Sequence, residues 1–428
     1  MKKKYFLNAH IIDPLNSINE IGGLIINENG KIEAIGKKVN KDNIPGKEKF
    51  INLKGKHIFP GLVDLRVFVG EPGYEYKENF RTLSNAALSG GVTSVVTMPN
   101  TDPIIDNISM VDFLKRRGRD KSKINIYPTA SLTKNLEGNN MTEFGLLQNK
   151  GIIGFTDGIK TIQNTRLMSR IMKSAHDLNS LIIQHAEDHE LAKKGMVNDG
   201  IISTKLGLQS IPDIAEKIII ERDLTLLEEY KCRYHISQIS SSKSSETIYQ
   251  KKQNLDFSCG VSINNLSLNE NDIGDFKTFL KLSPPLRTEE DRLSLVEGIN
   301  DGTIDVIVSD HKPEDEESKR LTFDKAATGA AGIETLLSLS LELFHNQSVK
   351  LEKLIASMTS NPSKILGINK GSLDIGNDAD LCILDINKPW VVKKNKLKSK
   401  SKNTPIEDRK LQGQVLKTFV KGEIGYER

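Results

Sequence analysis

LVDLRVF (62–68), NFRTLSNAALSGG (79–91) and VTSVVTM (92–98) follow one another as an apolar run, a segment with helical spacing and a second apolar run. Side chains alternate across a strand and recur every three or four positions on a helix, so this order predicts one strand–helix–strand unit. The pattern continues downstream. INIYPTA (124–130), IIGFTD (152–157), LIIQHA (181–186), CRYHISQ (232–238), DFSCGVS (256–262) and IDVIVSD (304–310) read as further strands, and TRLMSRIMKSAHDLN (165–179) reads as a helix. Eight alternations between 57 and 365 predict a (β/α)8 TIM-type barrel, a fold that takes about 250 residues. The rival, a doubly wound open sheet, expects a glycine-rich turn after its first strand, and no GxGxxG stands there.

The flanks have a different grammar. IGGLIINENGKIEAIG (21–36) alternates apolar and polar residues around Asn29-Gly30, a hairpin signal. GNDADLCILDI (376–386) and GQVLKTFVKGEIGYE (413–427) repeat that grammar near the end. The reading is therefore a small β-sandwich built from both ends, residues 1–56 and 366–428, around the barrel at 57–365.

Composition excludes several classes. The 428 residues carry 60 Lys+Arg against 56 Asp+Glu, a formal net charge of +4. That balance gives no footprint for nucleic acid or a membrane surface. Three scattered cysteines (Cys232, Cys259, Cys382) make no disulfide framework or zinc knot and suit a reducing compartment. The basic start MKKKYFLNAHIIDP has an apolar stretch broken by Asn, His and Asp, and no run approaches a membrane span, so a soluble cytoplasmic protein is expected. One strongly basic run, VVKKNKLKSKSKNTP (391–405), reads as a solvated loop or as a contact for an acidic partner surface.

A barrel enzyme draws its working residues from the carboxyl ends of its strands. Those ends carry Arg66 and Phe68, Asn100, Asp157, His185 and Glu187, His235 and Gln238, and Asp310 with His311. His185 and Asp310 together fall short of the three or more ligands of a catalytic zinc.

FPGLVDLRVFVGEPGYEYKENF (59–80), GGVTSVVTMPNTDP (90–103), QHAEDHEL (184–191), KLSPPLRTEEDR (281–292), VSDHKPED (308–315) and SKSKNTPIE (399–407) together resemble a class I dihydroorotase of the amidohydrolase superfamily. The likeness covers nearly the whole chain. It implies a hydrolase for cyclic amide C–N bonds in pyrimidine (UMP) biosynthesis, in which a zinc-bound hydroxide interconverts dihydroorotate and carbamoyl aspartate and an Asp moves the proton.

Carried over residue by residue, the resemblance is uneven. The family's metal-binding His-x-His falls on Arg66 and Phe68, neither of which has a lone pair for a metal. A further ligand histidine falls on Gln238, with His235 at a position that is not normally a ligand. His185 and Asp310 match a ligand and the ligand-and-proton-shuttle position, and Asp157, or less well Lys160, matches the bridging group. Among substrate contacts Asn100 and Arg287 are retained, while Gly70, Ser283 and Glu314 stand where the family has Arg, Asn and His. His185 could equally be a core histidine and Asp310 a turn cap, and Arg66 could form an internal ion pair with Asp310 and Asp157 that replaces the charge of the metal.

The expectation is a member of the family lacking its metal site, with zinc absent or weakly held. It would be non-catalytic, assembling with aspartate transcarbamoylase or with itself, and could still hold carbamoyl aspartate or dihydroorotate. The alternatives are an active zinc-dependent dihydroorotase with unusual ligation and, further off, a hydantoinase- or allantoinase-like amidohydrolase.

Overall fold

The computed structural model describes residues 2–44 and 49–428. Seven parallel strands form the centre: Leu62–Val67, Val92–Thr97, Asn125–Pro128, Leu181–Gln184, Arg233–Ile239, Ser258–Ser262 and Val306–Val308. The first three make one sheet and the last four another. Single parallel bridges link the sheet edges, Ala130 to Phe155, Phe155 to Ile182, and Val67 to His311. The segment expected as a strand at 152–157 lies between the two sheets: the Ile153 and Thr156 N–H groups donate to the Pro128 and Ala130 carbonyls, the Gly154 carbonyl accepts from Ala130, and Phe155 exchanges bonds with Leu181 and Ile183. Leu62–Val67 and Val92–Thr97 are buried at every position, which explains why these strands read as continuous apolar runs.

Helices cover the strands as the sequence pattern requires. Phe80–Ser89 starts at Asn79, whose side chain accepts from the backbone N–H groups of Arg81 and Thr82, while Thr82 answers the Asn79 backbone in a capping box. Its buried face (Phe80, Leu83, Ala86, Ala87) packs into the main core. Thr165–Asp177 is capped by Asn164 and buries Leu167, Met168, Ile171, Met172 and Ala175.

Both ends of the chain meet in one eight-stranded sheet. The expectation of a sandwich is corrected to this extent: the strands are hydrogen-bonded into a single sheet around a shared core, in which Phe6 meets Phe419 edge to face at 5.5 Å. His57–Pro60 belongs to this sheet, pairing with Leu381–Val391, so the N-terminal unit runs past the expected boundary at 56. The Asn29-Gly30 turn joins Ile18–Ile26 to Ile32–Gly36 in antiparallel register, with Gly30 at φ 76°. Among the described residues no helix is long and apolar enough to cross a membrane.

Candidate functional site

The carboxyl ends of the parallel strands converge on a buried charged cluster. Arg66, 4% exposed, reaches from Leu62–Val67 and donates through Nε to Asp310 Oδ1 at 2.9 Å. One of its terminal nitrogens donates to Ser237 Oγ at 2.7 Å and to the Gly158 carbonyl at 3.3 Å. Asp310 lies just after Val306–Val308 in the left-handed region, at φ 48°, a conformation that Asp tolerates better than most residues. Burial holds its carboxyl above the ordinary aspartate range, against the pull of the Arg66 charge.

The expected companion of this pair is placed elsewhere. Asp157 turns to Thr133, accepting from its backbone N–H at 3.0 Å and its hydroxyl at 2.5 Å. The 157–158 segment therefore touches Arg66 through a backbone carbonyl and not through the carboxylate. Lys160 donates to the Leu136 carbonyl at 2.9 Å.

Two buried imidazoles flank the pair. His185 is 1% exposed, and neither ring nitrogen has a hydrogen-bond partner. Burial, then the Arg66 charge, lowers its pKa to about 3. His235 shares one ring nitrogen with Ser258 Oγ at 2.8 Å and is likewise lowered to about 3, by burial and then by Lys252 and Arg66. Both rings are neutral at pH 7.

Phe68 is buried, and its backbone N–H donates to the His311 carbonyl at 2.8 Å. Gln238 donates through Nε2 to the Ser283 carbonyl at 2.9 Å. Gly70 sits at φ 72°, and a Cβ there would stand 2.6 Å from the Glu78 carbonyl oxygen, so no arginine fits without moving the backbone. Glu314, 3% exposed, faces Lys77 Nζ at 2.6 Å and Lys312 Nζ at 3.7 Å. Arg287 is buried and donates through Nε to Ser240 Oγ at 3.1 Å and through one terminal nitrogen to Asn198 Oδ1 and the Ile211 carbonyl at 2.8 and 2.6 Å. Asn100 keeps a buried Oδ1 without a partner.

Sequence reasoning passed over Ser237, Lys77 and Glu78. Ser237 lies two residues beyond His235 on one strand and so shares its face, which was a usable signal. Glu187, which the sequence placed at its strand end, is raised to about 7 by burial, with the Glu216 charge adding to the shift and Arg287 opposing it. Glu78 accepts from Ser399 Oγ and the Lys400 backbone N–H, and lies 3.5 Å from His311 Nε2, tying the 398–404 segment to the cluster.

Zinc, which the resemblance implies, has a poor donor set here. Among the described residues no three His, Cys, Asp or Glu side chains are grouped to hold a metal ion. His185 offers free nitrogens, but Arg66 brings a permanent positive charge onto Asp310, and a dication there would meet an uncompensated buried guanidinium.

Residues 55–245 match the family model described as dihydro-orotase-like. The chain is 40% identical over 424 residues to the dihydroorotase of Ehrlichia canis, spanning 98% of this chain and 94% of that one. It is 40% identical over 420 residues to the dihydroorotase of Syntrophus aciditrophicus, spanning 98% of each. Among solved structures it is similar to the L-hydantoinase (dihydropyrimidinase) of Arthrobacter aurescens, with a TM-score of 0.89, 25% identity, and coverage of 100% of this chain and 96% of that one.

Proposed function

The chain belongs to the dihydroorotase family, and on that premise we propose that it is a member that has exchanged metal chemistry for a structural role in pyrimidine biosynthesis. Its parallel strands would close as the family's (β/α)8 barrel, a reading supported by the bridges at Phe155 and between Val67 and His311. The observation that carries the functional reading is the Arg66–Asp310 pair at 2.9 Å. Zinc catalysis needs that carboxylate free to hold the metal and move a proton, and here a guanidinium holds it. Glu314 adds a second obstacle, placing a carboxylate where the family has a histidine, with Lys77 and Lys312 turned to that carboxylate instead of to an anionic substrate. The role left is assembly, and the partner proposed is aspartate transcarbamoylase or a second copy of the chain.

The test is metal content per purified chain, with dihydroorotate hydrolysis and carbamoyl aspartate cyclisation assayed in the same tube with added Zn²⁺. The proposal expects less than about 0.1 metal ion per chain, no turnover, and co-purification with aspartate transcarbamoylase. Stoichiometric zinc with turnover would establish the second reading, a zinc-dependent dihydroorotase with unusual ligation. The free nitrogens of His185 and the curated relatives named dihydroorotase favour that second reading. Turnover of a hydantoin alone would point to the activity named for the Arthrobacter structure.

A further inference from the structure

The basic run at 391–405 is exposed at 391, 393–396, 398 and 400, as a solvated loop would be, but part of its charge is met within the fold. Lys393 pairs with Asp408 and Lys394 with Glu407, while Lys400 and Lys402 donate to the Glu75 and Leu397 carbonyls. Lys396 and Lys398 remain, exposed and without an acidic partner among the described residues. Both line a cleft of about 840 Å³ between this segment, the Lys410–Val420 strand and the Glu423–Glu427 strand, a volume in the range of small-molecule sites.

The cleft also holds two aromatic rings, Trp390 and Tyr426, both half-buried. Trp390 is fixed by its indole N–H, which donates to the Gly413 carbonyl at 3.0 Å and faces Ser338 Oγ at 3.3 Å, so its ring is already ordered for a ligand to stack on. Gln414, 5% exposed, lines the cleft with an Oε1 that has no hydrogen-bond partner. The terminal torsion of a glutamine is soft, so a small rotation turns that acceptor to a donor in the cleft. The carboxylates in the walls are already committed. Glu334 accepts from the backbone N–H groups of Lys398 and Ser399 at 2.7 and 2.9 Å, and Glu427 pairs with Lys417 at 2.6 Å. Aromatic faces, an unmet acceptor and two uncompensated ammonium groups thus stand together.

We propose that this cleft binds a nucleoside polyphosphate, its base against Trp390 and Tyr426 and its phosphates on Lys396 and Lys398. Both features of the ligand are needed: a planar heterocycle with N–H donors for Gln414, and a polyanionic tail for the lysines. The site is separate from the Arg66–Asp310 cluster, and the proposal stands whether or not the chain hydrolyses dihydroorotate.

Trp390 is the one tryptophan of the sequence, so emission excited at 295 nm reports this cleft directly. The full chain is titrated with ATP, UTP, adenosine and inorganic tripolyphosphate. The proposal expects saturable quenching by ATP or UTP with Kd below about 1 mM, and binding at least about tenfold weaker for adenosine and for tripolyphosphate alone. It also expects a loss of at least about tenfold for nucleotide in the K396E/K398E variant, whose exposed positions leave folding intact by circular dichroism. Quenching by ATP but not UTP, or the reverse, identifies the base. No quenching at millimolar nucleotide would overturn the proposal. Equal affinity for tripolyphosphate, or unaltered binding by K396E/K398E, would overturn it as well.

Discussion

Arg66 Nε and Asp310 Oδ1 lie 2.9 Å apart although 244 positions separate them in sequence, so one buried ion pair joins the first parallel strand to the loop after the last. Removing one partner of such a pair leaves the other buried and uncompensated, which costs about 3–5 kcal/mol. Arg66→Met is expected to lower unfolding free energy by that order in urea titrations. The double variant Arg66→Met/Asp310→Leu is expected to recover most of the loss, because no lone charge is left behind. A single variant as stable as the parent would mean that Asp310 is satisfied without Arg66.

His235 gives a pH dependence with a definite sign. Its pKa is about 3 in the folded chain against 6.5 when exposed, so the folded state binds fewer protons between those values. The stability it contributes is complete above pH 6.5 and is lost as pH falls toward 3, with a slope of about 1.4 kcal/mol per pH unit in mid-window. Asp64 works in the opposite sense, since burial raises its pKa to about 6 and its contribution is lost as pH rises from about 4. The difference between parent and His235→Gln isolates the histidine. Stability measured at pH 7 and pH 5 should fall more steeply in the parent, and equal slopes would contradict a neutral buried His235.

Gly70 allows a direct test of whether the substrate position can be rebuilt. An arginine there carries a Cβ 2.6 Å from the Glu78 carbonyl oxygen at a backbone φ of 72°. Gly70→Arg is expected to cost about 1–3 kcal/mol and to give no measurable affinity for dihydroorotate by calorimetry. Tight binding by this variant would show that the 69–79 segment rearranges.

These residues also show what the sequence could and could not disclose. The parallel strands were readable because burial on both faces leaves continuous apolar runs, and the terminal strands because one buried face leaves alternation. Residues 152–157 gave the same apolar signal, and their backbone bonds to Pro128, Ala130, Leu181 and Ile183 on either side, although only Phe155 forms bridges and no regular ladder develops. At the site, the absence of lone pairs at Arg66 and Phe68 was plain from residue type. The orientation of Asp157 was not, because nothing local announces that Thr133 offers it both a backbone N–H and a hydroxyl. Glu314 likewise read only as a replacement of the family's histidine, and only the fold reveals Lys77 brought against it from 237 positions away.

The buried Glu78 carboxylate is the anchor of the 398–404 segment, accepting from Ser399 Oγ and from the Lys400 backbone N–H. Glu78→Ala leaves those donors unmet and removes the anion facing His311, an expected loss of about 2–4 kcal/mol. Hydrogen exchange should then rise at Ser399 and Lys400 while the Leu62–Val67 strand stays protected. Unchanged exchange at 399–400 would assign the anchoring to Glu334, which holds Lys398 and Ser399 from the other side.

The strongest test of the incomplete donor set is to complete it. Arg66→His, Phe68→His and Gln238→His together remove the guanidinium and place three imidazoles around His185 and Asp310, giving the nitrogen and oxygen donors zinc prefers. The triple variant is expected to hold about one zinc per chain after dialysis, against less than about 0.1 for the parent, and to gain thermal stability on adding Zn²⁺. Arg66→His alone should fall well short of one, since Phe68 and Gln238 still withhold their ligands. If the parent already binds zinc as tightly as the triple variant, His185 and Asp310 hold metal beside Arg66, and the structural role proposed for this chain fails.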